Sequence, residues 1–255
     1  MFIDKENLDS WASQPLSNNI INKISYCTKH GIKPQLLLFD LDGTLHAHGK
    51  IPQSYLYTHV YPLRNSQGRI TRQAAVRHHT AESLARLASH ESIIVGFYTS
   101  CMSFTADQVV SDTGIFKGST FDSDLYFPFF SRDFCKKDLA PDAKPHDTLR
   151  DLDGVIEAAN LRCAYNGLPV NTFSKENVFL IDNEIRKVNE FTGNYIIVPT
   201  FESHHAAILD DRTLTELANR IISAVTNEKS IGDITLPDDL VDLQEIPESE
   251  VVDVE

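Results

Sequence analysis

Two aspartates, Asp40 and Asp42, follow the apolar run Leu36-Leu37-Leu38-Phe39 and precede Gly43-Thr44-Leu45. Carboxylates leaving a buried strand concentrate negative charge where a hard cation can neutralise it, and Mg2+ favours such oxygen ligands. With a cation offsetting the charge of an incoming phosphate, a carboxylate can attack phosphorus instead of repelling it. Gly43 permits a tight turn, and exposed amides around it can hold phosphate oxygens. A lone Asp-Gly would read as an ordinary polar turn. The full string, placed after four large apolar residues, reads as a site.

Such a site needs a scaffold, and the apolar patterning supplies one. The run at 36–39 is continuous rather than alternating, as in a strand buried on both faces of a parallel sheet. Similar runs recur at 93–98, 178–181 and 195–198, with helical patterns over 80–89, 104–112, 148–160 and 184–191 between them. Strands alternating with helices predict an α/β, doubly wound, Rossmann-like core with a parallel sheet. Ligands in such sheets bind beyond the carboxyl ends of the strands. Three of the four strands end in Asp40, Thr99 and Asp182.

The rest of the chain divides around that core. Residues 1–34 carry one or two short helices, interrupted by Pro15, that pack on it. The core domain spans 35–227, and its turn-punctuated stretch 49–77 suggests a small β insertion with a turn at 65–68. From Glu228 to Glu255 ten acidic residues and one Lys supply nine of the thirteen net negative charges. A solvated tail is expected there, with a strand that docks on a sheet edge through Leu240, Val241, Leu243, Ile246 and Val251-Val252 as the alternative.

Charge and composition exclude several classes. A net charge of -13 argues against a broad nucleic-acid-binding face, which needs clustered Lys and Arg. Cys27, Cys101, Cys135 and Cys163 lie far apart with no C-x-x-C pair, a poor pattern for zinc or for a disulfide framework. Reduced thiols and a cytoplasmic setting are expected, with no transmembrane segment; peripheral membrane contact is left open. His46 and His48 lie within reach of a substrate at the Asp40 loop. The pairs His78-His79 and His204-His205 have no Cys or carboxylate at ligand spacing and read as structural or surface residues.

The string Asp40-Leu41-Asp42-Gly43-Thr44-Leu45 resembles the first motif of the haloacid dehalogenase-like (HAD) phosphatases. The resemblance implies that Asp40 is the nucleophile and Asp42 the general acid and base, with Asp42 also lending its backbone carbonyl to magnesium. Val95 to Ser100 resembles the second motif, which makes Thr99, and next Ser100, the hydroxyl that holds a phosphate oxygen. Lys136-Lys137-Asp138-Leu139 is similar to the Lys-Asp-Leu of the carboxy-terminal-domain (FCP/SCP-type) protein phosphatases, so Lys137 is expected to neutralise the phosphate, with Lys144 as its rival. Leu180-Ile181-Asp182-Asn183 is similar to that group's fourth motif, which implies that Asp182 and Asn183 complete a magnesium site with Asp40 and Asp42. Arg77-His78-His79 resembles the group's Arg-Pro-His stretch. Two departures stand out: Glu184-Ile185 replaces Ser-Pro, and 38 residues (140–177) separate Leu139 from Val178.

A core without a large cap favours a phosphate carried on a protein or peptide. The aromatic stretch 126–130 reads either as core packing or as a rim for an aromatic phosphoryl side chain. On that basis phosphotyrosine is preferred to phosphoserine or phosphothreonine. A fainter resemblance to HAD-type effector phosphatases of intracellular bacteria implies a host cell as the working compartment. A small-molecule phosphomonoesterase and a catalytically inactive HAD binding module are the alternative readings.

Overall fold

The computed structural model of the chain describes residues 3–48, 50–52, 60–65, 67–111, 115–116, 123–141, 143–144, 147–188, 193–202, 211–237, 240 and 251–253. The paired histidines 204–205 and tail residues 241–250 lie outside them.

Four strands form the central sheet: β1 (Gln35–Phe39), β6 (Ile93–Phe97), β9 (Val178–Asp182) and β10 (Tyr195–Ile197). Their order is β10-β9-β1-β6 and every pairing is parallel, with Phe39 opposite both Phe97 and Ile181. Alternate residues of each strand feed two separate cores. Leu37, Phe39, Val95, Phe97, Phe179 and Ile181 point to one, while Leu36, Leu38, Ile94, Val178 and Leu180 point to the other. This two-sided burial is why the strands read as unbroken apolar runs.

Helices cover both faces. On the first lie α3 (Thr80–Ser89), α4 (Ser103–Val110) and α6 (Thr213–Thr226), which contribute Leu84, Val109 and Ile221. On the second lie α1 (Lys5–Ala12), α2 (Asn18–His30) and α5 (Leu152–Tyr165), which contribute Ile20, Ile24, Val155 and Ala159. The fold is therefore the expected doubly wound α/β core. The break at Pro15 separates α1 from α2, each opened by a capping side chain, Asp4 and Ser17. Trp11 of α1 lies 5.0 Å from the rings of Phe130 and Phe134. Lys23 of α2 is buried, and its ammonium donates to the carbonyls of Ala88, His90 and Ile93 at the α3–β6 turn.

The insertion after β1 is a small antiparallel sheet ordered β2-β5-β4, made of β2 (His46–His48), β4 (Val60–Arg64) and β5 (Ile70–Val76). Its β4–β5 turn closes where Gly68 N–H donates to the Asn65 carbonyl at 2.9 Å. The short strand β3 (Lys50–Pro52) pairs antiparallel with β11 (Val251–Asp253), Ile51 facing Val252. Ile231 and Leu240 of the acidic tail are buried, while Glu228, Lys229, Ser230 and Asp233 are exposed.

Two sequence expectations are corrected, and of the two readings of the aromatic stretch one holds. The pattern at 148–160 predicted one helix; residues 148–149 instead form β8 (Thr148–Leu149), paired with β7 (Lys136–Lys137), and α5 starts at Leu152 behind the Asp151 cap. The pattern at 184–191 yields only a 3₁₀ turn, Ile185–Val188, over its described part. There the Asp182 carboxylate accepts from the Glu184 amide at 2.8 Å, the side-chain turn that competes with helix. The aromatic stretch is core, not a rim: Tyr126, Phe127 and Phe130 are buried. The stretch runs beside β6, with Phe127 N–H donating to the Val95 carbonyl at 2.7 Å and Phe130 N–H to Phe97 at 2.8 Å.

Candidate active site

The sheet register brings the chemistry-bearing residues to one edge. Asp40 leaves β1 with its amide donating to Ile181 at 2.8 Å, so it lies beside Asp182 at the end of β9. On the other side Tyr98 N–H donates to the Phe39 carbonyl at 2.9 Å, which sets Thr99 beyond β6. Asp40, Thr99 and Asp182 are all buried. The Thr99 oxygen accepts from the Cys101 amide at 3.1 Å. Ser100, half-buried, follows it at the loop.

The loop from Leu41 to His46 is a compact turn. Leu45 and His46 amides both donate to the Leu41 carbonyl, at 2.9 and 3.0 Å, and Gly43 N–H donates to His46 at 2.7 Å. Gly43 has φ +76, and a Cβ there would stand 2.5 Å from the Asn183 amide nitrogen. Only glycine lets this backbone meet Asn183 so closely. Asn183 accepts from the Thr44 hydroxyl and donates to Thr200, each at 3.2 Å. The motif loop is held from below by Arg77, which is fully buried. Its guanidinium donates to the Thr44 carbonyl at 3.0 Å, the Pro199 carbonyl at 2.9 Å and the Asp211 carboxylate at 2.6 Å.

The cation facing Asp40 is Arg150, not Lys137. Arg150 Nη2 lies 2.6 Å from Asp40 Oδ1 and 2.9 Å from Asp182 Oδ2, with all three side chains at 0–1% exposure. Its Nε also donates to Asp182 at 2.9 Å, and the guanidinium lies 5.0 Å from the centre of the Tyr98 ring. Lys137 is exposed on β7, and the next residue, Asp138, pairs with Arg186. Lys144 is exposed as well. The cause is local: β7 and β8 form a surface ribbon that turns Lys137 outward, while the chain leaving β8 dives under the sheet end at Arg150. Arg150-Asp151-Leu152 repeats the Lys137-Asp138-Leu139 pattern with Arg for Lys, and that repetition is the signal in the sequence that points to it. Lys187 is a second residue that the motifs do not reveal. It is largely buried, pairs with Glu184 at 2.7 Å, and Asp40 raises its pKa against the opposing effect of burial.

Electrostatics at Asp40 are finely opposed. Burial pushes its pKa up to about 7 and Asp182 adds to this, while Arg150 and Lys187 pull it down. Burial also works against the Arg150 charge, but the two carboxylates outweigh it and hold the guanidinium firmly protonated. Besides Arg150 at 2.6 Å, the Leu41 amide faces the Asp40 carboxylate and also pulls its pKa down. A buried carboxylate beside a second carboxylate and an amide oxygen fits a divalent cation with oxygen preference. Asp40, Asp182 and Asn183 could hold it.

Asp42 projects outward, its side chain 53% exposed. Its Oδ1 lies 3.8 Å from His48 Nε2, and Asp42, His46 and His48 each bring one ligand atom within 4.8 Å of the others. Ligand spacing along the chain does not reveal this group, because Asp42 joins it across the turn. Among the described residues no helix is long and apolar enough to cross a membrane, and the four cysteines are free.

A model of the NLI interacting factor-like phosphatase family matches residues 35–232. No curated protein matches the chain by sequence. Among solved structures, fission yeast RNA polymerase II CTD phosphatase Fcp1-R271A bound to beryllium fluoride is 15% identical, with a TM-score of 0.45, over 84% of this chain and 56% of that one. A second structure of Fcp1, described as an essential RNA polymerase II CTD phosphatase, is 17% identical, with a TM-score of 0.45, over 84% and 55%. The chain spans just over half the length of each.

Proposed function

The chain belongs to the NLI interacting factor-like phosphatase family, and from that premise we propose that it hydrolyses phosphate monoesters carried on protein side chains, with Asp40 as nucleophile. The observation that carries this reading is the Asp40 carboxylate itself. It is buried at a strand end beside a second carboxylate, Asp182, and two cations, Arg150 and Lys187, face it. A carboxylate whose pKa is strongly perturbed by burial and by specific charged neighbours at a strand end is a candidate to react.

Asp40, Asp182, Asn183 and the main-chain carbonyl of Asp42 would hold Mg2+, which when bound neutralises phosphate charge and favours the ionised form of Asp40. The Thr99 hydroxyl holds a phosphate oxygen; the Gly43, Leu45 and His46 amides are engaged within the loop. An Asp40 oxygen forms a bond to phosphorus while the ester P–O bond breaks, and the leaving oxygen takes a proton from Asp42. Asp42 then accepts a proton from the water whose oxygen attacks phosphorus, and the Asp40–phosphorus bond breaks to release phosphate. Arg150 takes the part expected of Lys137: it fixes Asp40 against Asp182 and opposes the charge that builds up there.

Phosphotyrosine is the favoured substrate residue, although the buried aromatic stretch no longer supports it. Its support is the apolar margin that exposed Met102 and Phe104 give the segment leaving Thr99. The four free thiols suit a reducing compartment such as cytoplasm.

The test is phosphate release from matched phosphotyrosine and phosphoserine peptides, with Mg2+ or EDTA, by wild type and Asp40→Asn. Mg2+-dependent release that vanishes in the variant is expected. Wild-type-like turnover by Asp40→Asn would remove the nucleophile assignment, and release from metabolites alone would replace the protein substrate with a small one.

A further inference from the structure

We propose that Asp42, His46 and His48 form a second cation site, selective for zinc-class ions over magnesium, whose occupation silences the phosphatase.

The group arises from local folding. The turn from Leu41 to His46 closes with a bridge between Asp42 and His46, which returns the chain to the side of the loop where Asp42 projects. β2 then carries His46 and His48 on the same face, because alternate strand residues share a face. Their rings lie 5.0 Å apart, edge to face.

A single observation separates this group from a chance surface cluster. His46 is 0% exposed, yet among the described residues neither ring nitrogen has a hydrogen-bond partner. Burying an imidazole with both nitrogens unsatisfied is costly, and a strand position that is merely structural would be filled by an apolar residue. The hydroxyl of Tyr61, whose ring centre lies 6.1 Å from that of His46, is likewise buried without a partner among the described residues. The ligand atoms lie within 4.8 Å of one another, and a tetrahedral zinc site built on bonds of about 2.0–2.1 Å has an edge of roughly 3.3 Å. The exposed Asp42 side chain can adjust to that edge by rotating.

Two imidazoles and one carboxylate suit zinc, cobalt, nickel or copper, whereas Mg2+ prefers oxygen alone. The site is therefore chemically distinct from the oxygen-rich set at Asp40, Asp182 and Asn183. The regulatory part rests on the proposed function: an Asp42 oxygen bound to a metal cannot pass a proton to the leaving group.

The test uses the full chain, stripped with EDTA and reloaded with excess Mg2+, and Co2+ as an optical probe. One equivalent of Co2+ is expected to give a visible band of nitrogen-ligated cobalt that Mg2+ does not displace. The band should be lost in His48→Gln, a half-buried position that tolerates change better than His46, and kept in Asp40→Asn/Asp182→Asn. Zn2+ should abolish wild-type turnover in step with displacement of cobalt, while whatever turnover His48→Gln retains should be insensitive to it. Absence of the band, its survival in His48→Gln, or its loss in the Asp40/Asp182 variant would overturn the site. Zinc binding without inhibition would overturn the regulation. An intact band in a protein with no phosphatase activity would overturn the function and the regulation with it, leaving the site.

Discussion

Asp40→Asn is expected to do more than stop turnover: in the absence of metal it should make the protein more stable. The folded protein raises the Asp40 pKa from 3.8 to about 7. At about 1.4 kcal/mol per pH unit, ionising Asp40 in place costs about 4 kcal/mol more than ionising it in the unfolded chain. Below pH 4 both states hold the proton, so the penalty is absent. Between about pH 4 and 7 the unfolded chain gives up its proton while the folded protein keeps it, so stability falls as pH rises, and above 7 it stays down. Asparagine carries no such charge. In EDTA at pH 8 the variant should therefore gain up to about 4 kcal/mol, which for a domain of this size raises Tm by about 8–16 °C. At pH 4 the two proteins should melt together. Saturating Mg2+ should close the gap at pH 8, because a ligand that binds the folded wild type stabilises it by mass action. Thermal melts at pH 4 and 8, with EDTA and with Mg2+, read all four points. A variant no more stable than wild type at pH 8 in EDTA would refute the premise that Asp40 is an under-compensated buried charge.

Arg150→Ala should lower kcat/KM by about 10²–10³, the usual loss for a preorganised electrostatic group, while Lys137→Ala stays within about threefold. Steady-state kinetics on one phosphopeptide compares them, and the reverse order would return the role to Lys137. Arg77→Met should cost about 3–5 kcal/mol in urea denaturation, since it strands a buried Asp211 carboxylate. Adding Asp211→Leu should recover much of that loss, and additive losses would show that the pair is not coupled.

Much of the fold could be read directly. Strands 36–39, 93–98 and 178–181 are continuous apolar runs because both faces of the sheet are covered, and short runs of that kind alternating with helical patterns suit a parallel sheet. Asp40 and Asp182 were visible because polar residues end those runs. The helix starts were less legible: Thr148 and Leu149 fit a helical pattern, but the Asp151 side chain accepts from Gly154 N–H at 3.1 Å and begins the helix there instead. Placing Arg150 inside a helix hid its role. Two Lys/Arg-Asp-Leu strings competed for one place, and only burial decides between them. Burial of a guanidinium depends on carboxylates 110 and 32 residues away, Asp40 and Asp182, which no local pattern encodes. The group of Asp42, His46 and His48 was missed for a related reason: a tight turn, not a ligand spacing, assembles it.

Arg77 bears on how the site comes into being during synthesis. Its carboxylate partner, Asp211, is 134 residues further along the chain. At roughly 5–20 residues per second on the ribosome, that separation amounts to about 7–27 s in which Arg77 has been made and Asp211 has not. A guanidinium cannot be buried alone without a penalty of several kcal/mol, so the bond from Arg77 to the Thr44 carbonyl waits for the second half of the domain. The loop that carries Asp40 and Asp42 is one of the first parts of the core to leave the ribosome and one of the last to be set.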